Sequence, residues 1–338
     1  MRKTLLTAAV LAVTAATPAA AATDYPALQM TLYEEYIQPD YDNLARKTHA
    51  LEYKTVGHCK YVGENPDMLA VRTAFHDAMD AWQMAQHIRH GAIARHDRHA
   101  RLQFWPDKRG ITERHMRKLL AEPVAADFKD DLPRASVAIQ GFPALERLLF
   151  ADVPLSRHLQ PGEKAVRCTV AVAIAHNIAN IAAALKAESA TPPVDAKTDI
   201  RDTVNDLVTG LEFVQSLKLK LPTGKERPRP RLLENWRSVR SLKNVEINIR
   251  ALRNLYEVLA ATIPEDNPQH SLIRSQFDAA EDAIRAMGEN GKELLGEELG
   301  PVRFRALAGT LETIRDLIAE TLPGHLGVDL GFNSLDGD

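Results

Sequence analysis

One carboxylate, Glu146, lies in the apolar segment QGFPALERLLF (140–150), where it could bind a metal or accept hydrogen bonds. Pro143 excludes the preceding Phe142 from the helical region and suits the first turn of a new helix. The sequence therefore predicts a helix that begins at Pro143. Glu146 shares a face with Pro143, three residues earlier, and points inward or into a groove. The opposite, core-facing side carries Leu145, Leu148 and Leu149.

The segment RLQFWPD (101–107) places a second group of reactive side chains before the next helix. A loop held by helices often carries function. Its polar groups are the guanidinium of Arg101, the amide of Gln103 and the carboxylate of Asp107. A structural interpretation is equally open, in which Phe104 and Trp105 fill the core and Asp107 caps the turn after Pro106.

Two further stretches combine polar and aromatic side chains at helical spacing. Near residue 90, Trp82, His87 and Arg89 lie in a region, from His76 to His115, that holds six of the twelve histidines. In the second half of the chain, one long helix is expected to carry a polar stripe beside Trp236, which forms either a structural interface or a ligand-contacting wall. The stripe consists of Glu234, Arg237, Ser241, Asn244 and Asn248.

A metal site could be built from Glu146 with one or two of His87, Asp107 and His176, because imidazole and carboxylate groups bind divalent metals. The sequence fixes no ligand spacing for such a site. It also lacks HExxH, a glycine-rich phosphate loop and the GxSxG nucleophile elbow. These absences disfavour the common hydrolases and nucleotide-binding proteins.

The elements that must position these residues are helices, because nearly every long segment has a helical period. We expect an all-α fold of two packed helical-bundle domains, at 23–193 and 194–338. The proline-rich segments 191–193 and 221–231 interrupt the helices. Predicted helices span residues 66–90 and 166–186, pass through 242–259, begin near 269, and span 301–321. Pro323 is expected to stop the last helix before an irregular tail.

The first 22 residues predict a cleaved signal peptide, because Arg2 and Lys3 precede an apolar run that ends at the small residues 20–22. The run is shorter than the roughly 20 residues that span a bilayer, so no transmembrane span is expected in the mature protein. Cleavage lowers the formal net charge of −3 to about −5, which argues against nucleic acid as a partner. The expected location is the periplasm or cell envelope.

Two cysteines, Cys59 and Cys168, remain in the exported chain. An even count permits one disulfide in an oxidising compartment. Two buried thiols are the equally open alternative.

The sequence resembles the imelysin family of exported bacterial cell-envelope proteins along nearly all of the mature chain. The resemblance is carried by the helix of residues 75–91, by RLQFWPD, by QGFPALERLLF, by residues 234–253 and by the ending GFNSLDGD (331–338). It implies two helical bundles related by pseudo-symmetry, a groove at their junction, and a role linked to iron uptake or to binding at the envelope.

Some members of the family are described as peptidases, with a GxHxxE motif whose histidine and glutamate suit metal binding. Here the matching residues are Gly141, Pro143 and Glu146, so proline replaces the histidine and weakens the metallopeptidase interpretation. Arg237 and Ser238 match a Trp-Arg-Ser pattern expected to face the same groove. Iron or another divalent metal is the cofactor that the resemblance suggests.

The preferred hypothesis is a non-catalytic binding protein whose groove holds a small anionic or metal-associated ligand, with other envelope proteins of iron uptake as partners. The competing hypotheses are a metal-dependent hydrolase that uses Glu146 and a structural or partner-binding envelope protein. The candidate groove residues are Trp82, His87, Arg89, Arg101, Gln103, Trp105, Asp107, Gln140, Glu146, Trp236, Arg237, Ser238 and Ser241.

Overall fold

The computed structural model describes residues 23–60, 68–150 and 160–330, and within these ranges the chain is helical and forms no β-strand. This confirms the all-α prediction. The α-helices are α1 (Tyr25–Leu32), α2 (Gln38–Lys60), α3 (Met68–Ala85), α4 (Arg98–Leu102), α5 (Ile111–Leu120), α6 (Phe128–Asp131), α7 (Phe142–Phe150), α8 (Pro161–Glu188), α9 (Ala196–Phe213), α10 (Leu221–Thr223), α11 (Ser241–Leu259), α12 (Pro268–Ala286), α13 (Gly291–Gly296) and α14 (Gly300–Leu326). One π-helical segment, Tyr33–Ile37, joins α1 to α2, and another, Val214–Lys220, follows α9.

Three long helices form the first half, with α2 packed against both α3 and α8. The small alanine side chains of α8 let α2 approach closely, and its larger residues Ile174, Ile178 and Leu185 are buried. A disulfide between Cys59 on α2 and Cys168 on α8 joins this pair. The structure therefore selects the disulfide from the two alternatives.

The second half packs α14 against α12, α9 and the Val214–Lys220 segment, while α11 contacts α12 and α9. Helix α11 also packs against α3, so the two halves share a helix-to-helix contact. One hydrophobic cluster contains Phe75 and Phe142 together with Phe277 and Phe304. The boundary at residue 193 and the pseudo-symmetry of two domains stay predictions.

Helix α8 is the one helix of the described residues that is long and apolar enough to cross a membrane, with an 18-residue window of mean hydropathy 1.7 inside Gly162–Glu188. Of that window, 67% is buried inside the protein. Burial of this extent is typical of a core helix, which satisfies the same criteria of length and composition.

Three predicted helix boundaries are wrong. Helix α3 ends at Ala85 rather than near residue 90, because the N–H groups of Arg89 and His90 donate to the Asp206 carboxylate instead of continuing the helix. The polar stripe does not lie on one helix, since α11 begins only at Ser241. The last helix continues through Pro323 to Leu326, where Gly327 ends it in the left-handed conformation.

The predicted signal peptide (1–22) and the family-like ending (331–338) lie outside the described residues.

Candidate functional site

A cavity of about 600 Å³ opens between the first half of the chain and the residues that precede α11. Its walls come from the loop after α4, from the first turn of α5, from α7 along its length, and from the start of α13. Arg231, Leu232 and residues 233–240 complete the lining, and we term residues 233–240 the cavity segment. The cavity is lined by Gln103, Phe104, Trp105, Asp107, Gly110, Thr112, Glu113, Pro143, Glu146, Arg147, Phe150, Arg231, Leu232, Leu233, Asn235, Trp236, Arg237, Val239, Asn290 and Lys292.

Glu146 reaches the cavity because α7 begins where the sequence predicts, within one residue. Gly141 lies against the backbone carbonyls of Arg101 and Leu102, where a Cβ atom would approach within 2.2 Å of the Leu102 oxygen. The carbonyl of Gly141 accepts the N–H groups of residues 144 and 145, which starts the helix. Glycine is therefore required here for close packing, and Glu146 follows on the inner face of α7.

The Glu146 side chain is buried and is held by Ser238. The N–H group of Ser238 donates to Glu146 Oε1 at 2.9 Å, and Ser238 Oγ donates to the same oxygen at 2.7 Å. Burial raises the pKa of Glu146, and the hydrogen bonds from Ser238 and the charge of Arg237 oppose this shift only in part. Glu146 thus fastens α7 to the cavity segment.

The cavity segment has two residues other than glycine in the left-handed region, Asn235 at φ 48° and Val239 at φ 58°. Asparagine tolerates this conformation, but a β-branched valine adopts it only under strain. Val239 is 48% exposed, so burial of its side chain does not offset that strain. The fixed contacts of neighbouring residues must hold the segment in place.

Four cationic side chains line the cavity, and three of them have no acidic partner among the described residues. Arg147 lies 3.6 Å from Glu113. The Arg237 guanidinium stacks 4.2 Å from the centre of the Trp236 ring, and the Lys292 ammonium lies 5.2 Å from it. In the described chain, Arg231, Arg237 and Lys292 form no ion pair.

The pKa of Arg237 is lowered in this cluster of positive charges. Burial lowers the pKa of Arg237, and the neighbouring Arg147 and Arg231 lower it further, against the opposing charges of Glu146 and Glu113. A bound anion would relieve the repulsion among the guanidinium groups.

Asp107 caps helix α5, whereas the structural interpretation of its loop expected it to cap the turn after Pro106. Its two carboxylate oxygens accept the N–H groups of Ile111 and Thr112, each at 2.8 Å. Trp105 lines the cavity and packs edge-on against Phe213. Gln103 donates from Nε2 to Glu234 at 2.8 Å, which fixes its amide beside the cavity wall.

Three residues expected in the groove lie elsewhere. Trp82 is 0% exposed and packs in the core against His99, because the apolar face of α3 turns inward. Burial lowers the pKa of His87 to about 3, and its Nε2 lies 2.8 Å from the hydroxyl of Tyr36. The Arg89 guanidinium contacts His99 and stacks over Phe213.

Four other candidates contribute hydrogen bonds around the cavity without lining it. Arg101 donates to Gln140 at 2.7 Å and to Asn177 at 2.8 Å, which ties the 101–107 loop to α8. Ser241 donates to the backbone carbonyl of Glu234. Ser238 is buried beneath the wall, where it binds Glu146.

The residues proposed as metal ligands do not meet. Glu146 is bonded to Ser238, Asp107 caps α5, and His87 is bonded to Tyr36 in the core. His176 instead pairs with Glu52 at 2.7 Å. No group of three or more histidine, cysteine, aspartate or glutamate side chains in the described ranges could hold a metal ion. These donors do not fit iron or another divalent cation at the cavity.

Sequence reasoning missed Lys218 and the cationic residues Arg147, Arg231 and Lys292. Lys218 does leave a sequence signal, because it continues the buried helical face of Leu207, Leu211 and Val214 at offsets of three and four. A lysine on an apolar face is either extended to the surface or paired in the interior. The three other cations come from separate loops and helices that only the tertiary fold brings together.

Comparison with known proteins identifies the family. The family model for imelysin matches residues 37–320. The chain belongs to the imelysin family. The fold is similar to an imelysin-like protein from Psychrobacter arcticum 273-4, with a TM-score of 0.75 and 18% identity over 91% of this chain and 97% of that one.

A second imelysin-like fold is that of a protein described as an iron-regulated protein A precursor from Parabacteroides distasonis ATCC 8503. The TM-score is 0.68, at 19% identity, over 88% of this chain and 95% of that one. No curated protein matches the sequence. At these identities the similarity establishes the fold. The function of this imelysin-family member must be inferred from the residues of its own cavity.

Proposed function

We propose that this imelysin-family protein is an exported, non-catalytic binding protein of the cell envelope, with a role in iron uptake. Its cavity holds a small anion that carries two or more negative charges, either free or as part of a metal complex. The predicted signal peptide supports export. The similarity to an iron-regulated protein precursor supports the connection with iron.

The observation that carries this proposal is the set of unpaired cations around Trp236. Arg231, Arg237 and Lys292 face one cavity and form no ion pair in the described chain. Guanidinium groups bind carboxylate and phosphate oxygens through paired hydrogen bonds.

The carboxylates that line the cavity do not pair with these three cations, which therefore remain available to bind an anion. The Asp107 carboxylate accepts N–H groups at the start of α5, and Glu113 forms ion pairs with both Arg147 and Arg117. Glu146 accepts two hydrogen bonds from Ser238, and both go to the same carboxylate oxygen. The apolar residues Phe104, Phe150 and Leu232 supply walls for the carbon skeleton of a ligand.

Calorimetric titration with citrate and with inorganic phosphate tests the proposal, with glycerol as the uncharged control. We expect binding of the anions with a Kd in the millimolar range or tighter, weakened by salt because the contacts are ionic. Arg237→Ala should weaken citrate binding about tenfold or more. Lys243→Ala is the matched control, since Lys243 pairs with Glu246 on α11 outside the cavity.

Absence of binding by both anions would refute the proposal. So would equal affinity in the wild type and in Arg237→Ala.

A further inference from the structure

A fully buried ion pair lies behind the cavity segment, between Lys218 and Glu234. The side chains are 1% and 2% exposed, and Lys218 Nζ lies 2.8 Å from Glu234 Oε2. Neither residue lines the cavity. Burial of two charges is costly unless hydrogen bonds satisfy both groups. This pair therefore needs a specific reason to occupy the interior.

Both charged groups have several hydrogen-bond partners. Besides Glu234, the Lys218 ammonium contacts the side-chain oxygens of Gln83, Gln86 and Asn248, at 2.7, 2.5 and 2.6 Å. The Glu234 carboxylate accepts from Gln86 at 3.1 Å and from Gln103 and Asn244 at 2.8 Å each, in addition to Lys218. The cluster links α3, α11, the 101–107 loop and the Val214–Lys220 segment to residue 234.

Glu234 and Ser238 are the two anchors that flank Trp236 and Arg237 in the strained cavity segment. Asn244 and Asp80 also contact this segment, at Asn235 and Arg240. Ser238 is fixed by Glu146, and Glu234 is fixed by the Lys218 cluster. Trp236 and Arg237 lie between these anchors and are the segment's large cavity-lining side chains. A left-handed residue follows each anchor, so the segment would relax if either anchor failed.

We propose that Lys218 is a positioning residue for the cavity: through Glu234 it fixes the segment that carries Trp236 and Arg237. A buried charge with four acceptors specifies one geometry, which is what a preorganised binding wall requires. The inference rests on the proposed function for its binding measurement, whereas the position of Trp236 can be measured without a ligand.

The test uses Lys218→Met, which keeps an unbranched side chain as far as Cε and removes the ammonium. The matched control is Lys220→Met, because Lys220 lies on the same π-helical segment but is exposed and pairs with Glu312 at 3.0 Å. The emission of Trp236 is obtained as the difference between each protein and its Trp236→Phe derivative. We expect Lys218→Met to shift this emission to longer wavelength and Lys220→Met to leave it unchanged.

Citrate affinity should fall about tenfold in Lys218→Met, the loss typical when a supporting shell is removed. In an Arg237→Ala background, Lys218→Met should cause a smaller loss than in the wild type, because Lys218 acts in part through Arg237. An additive loss in that background would overturn the proposal. Wild-type Trp236 emission in a folded Lys218→Met protein would overturn it as well.

Removing one partner leaves Glu234 as an uncompensated buried charge, so Lys218→Met could unfold. The double variant Lys218→Met/Glu234→Gln removes both charges and repeats the test. Unfolding of both variants would overturn the proposal, because the pair would then support the whole fold. If citrate fails to bind the wild type, the proposed function fails, while the Trp236 emission still decides whether Lys218 positions the segment.

Discussion

Ser238 donates two hydrogen bonds to one oxygen of Glu146, although the residues are 92 positions apart in the chain. One bond comes from the backbone N–H, so any residue other than proline at position 238 could supply it. The contact joins α7 to the cavity segment and keeps a desolvated carboxylate at the cavity wall. Glu146 therefore acts first as a structural anchor.

Glu146→Gln should alter the pH dependence of stability. The folded-state pKa of Glu146 is raised, mainly by burial. The contribution of this carboxyl group to the free energy of unfolding is therefore fully present below its unfolded-state pKa. It is lost as pH rises through its folded-state pKa. Glutamine cannot ionise and its oxygen can still accept from Ser238. We expect the free energy of unfolding of the variant, relative to wild type, to increase from about pH 4 to about pH 8 in urea titrations. A relative decrease over that range would contradict the assignment.

His90→Gln should reduce the loss of stability at alkaline pH. Burial disfavours the charged imidazole, but hydrogen bonds with Asp199 and Asp206 outweigh it and raise the pKa of His90 to about 10. The resulting stability is full below the ordinary histidine pKa and is lost as pH rises toward about 10, by on the order of 4–5 kcal/mol.

Urea unfolding at several pH values should show a steeper decline for wild type than for His90→Gln between neutral and alkaline pH. His325→Gln is the control, since His325 is exposed on α14. Parallel curves for wild type and His90→Gln would rule out a charged His90.

Removal of the Cys59–Cys168 disulfide should lower the free energy of unfolding by about 2–5 kcal/mol, because the bond restricts a long loop in the unfolded chain. The two cysteines are separated by 109 positions. The double variant Cys59→Ala/Cys168→Ala and the wild type in reductant should give similar denaturant midpoints. Two titratable thiols in the denatured, unreduced protein would show that the bond does not form.

Val239→Gly should stabilise the protein by up to about 1 kcal/mol. Glycine adopts the left-handed conformation without strain, and this gain exceeds the added freedom of the unfolded chain. The matched control is Val56→Gly, at an exposed valine inside α2, which should destabilise by up to about 0.5 kcal/mol. Thermal unfolding measures both changes, and a loss of stability in Val239→Gly would show that the backbone there is unstrained.

The sequence predicts those parts of the fold that depend on local signals. Helical periodicity gave the all-α class, and Gly141 with Pro143 located the start of α7 within one residue. The two cysteines allowed the disulfide, although only packing of α2 on α8 brings them together.

The remaining features arise from contacts between distant segments. Trp82 lies on the apolar face of α3 and is buried in the core. The polar indole N–H of a tryptophan does not predict such burial. The polar spacing of Glu234 and Arg237 fits a helix, yet the Lys218 cluster and Glu146 hold these residues in an irregular, strained conformation. A single sequence does not show which distant charges will neutralise one another in the interior.

Pro143 occupies the first turn of α7 and lines the cavity, three residues before Glu146. Two of the four proline codons, CCU and CCC, become histidine codons by one nucleotide change, and histidine here would place an imidazole at this wall. A histidine at this position would lie one helical turn from Glu146 on the same cavity wall. Closely related genes could encode cavities with different chemistries while the helices around them stay the same.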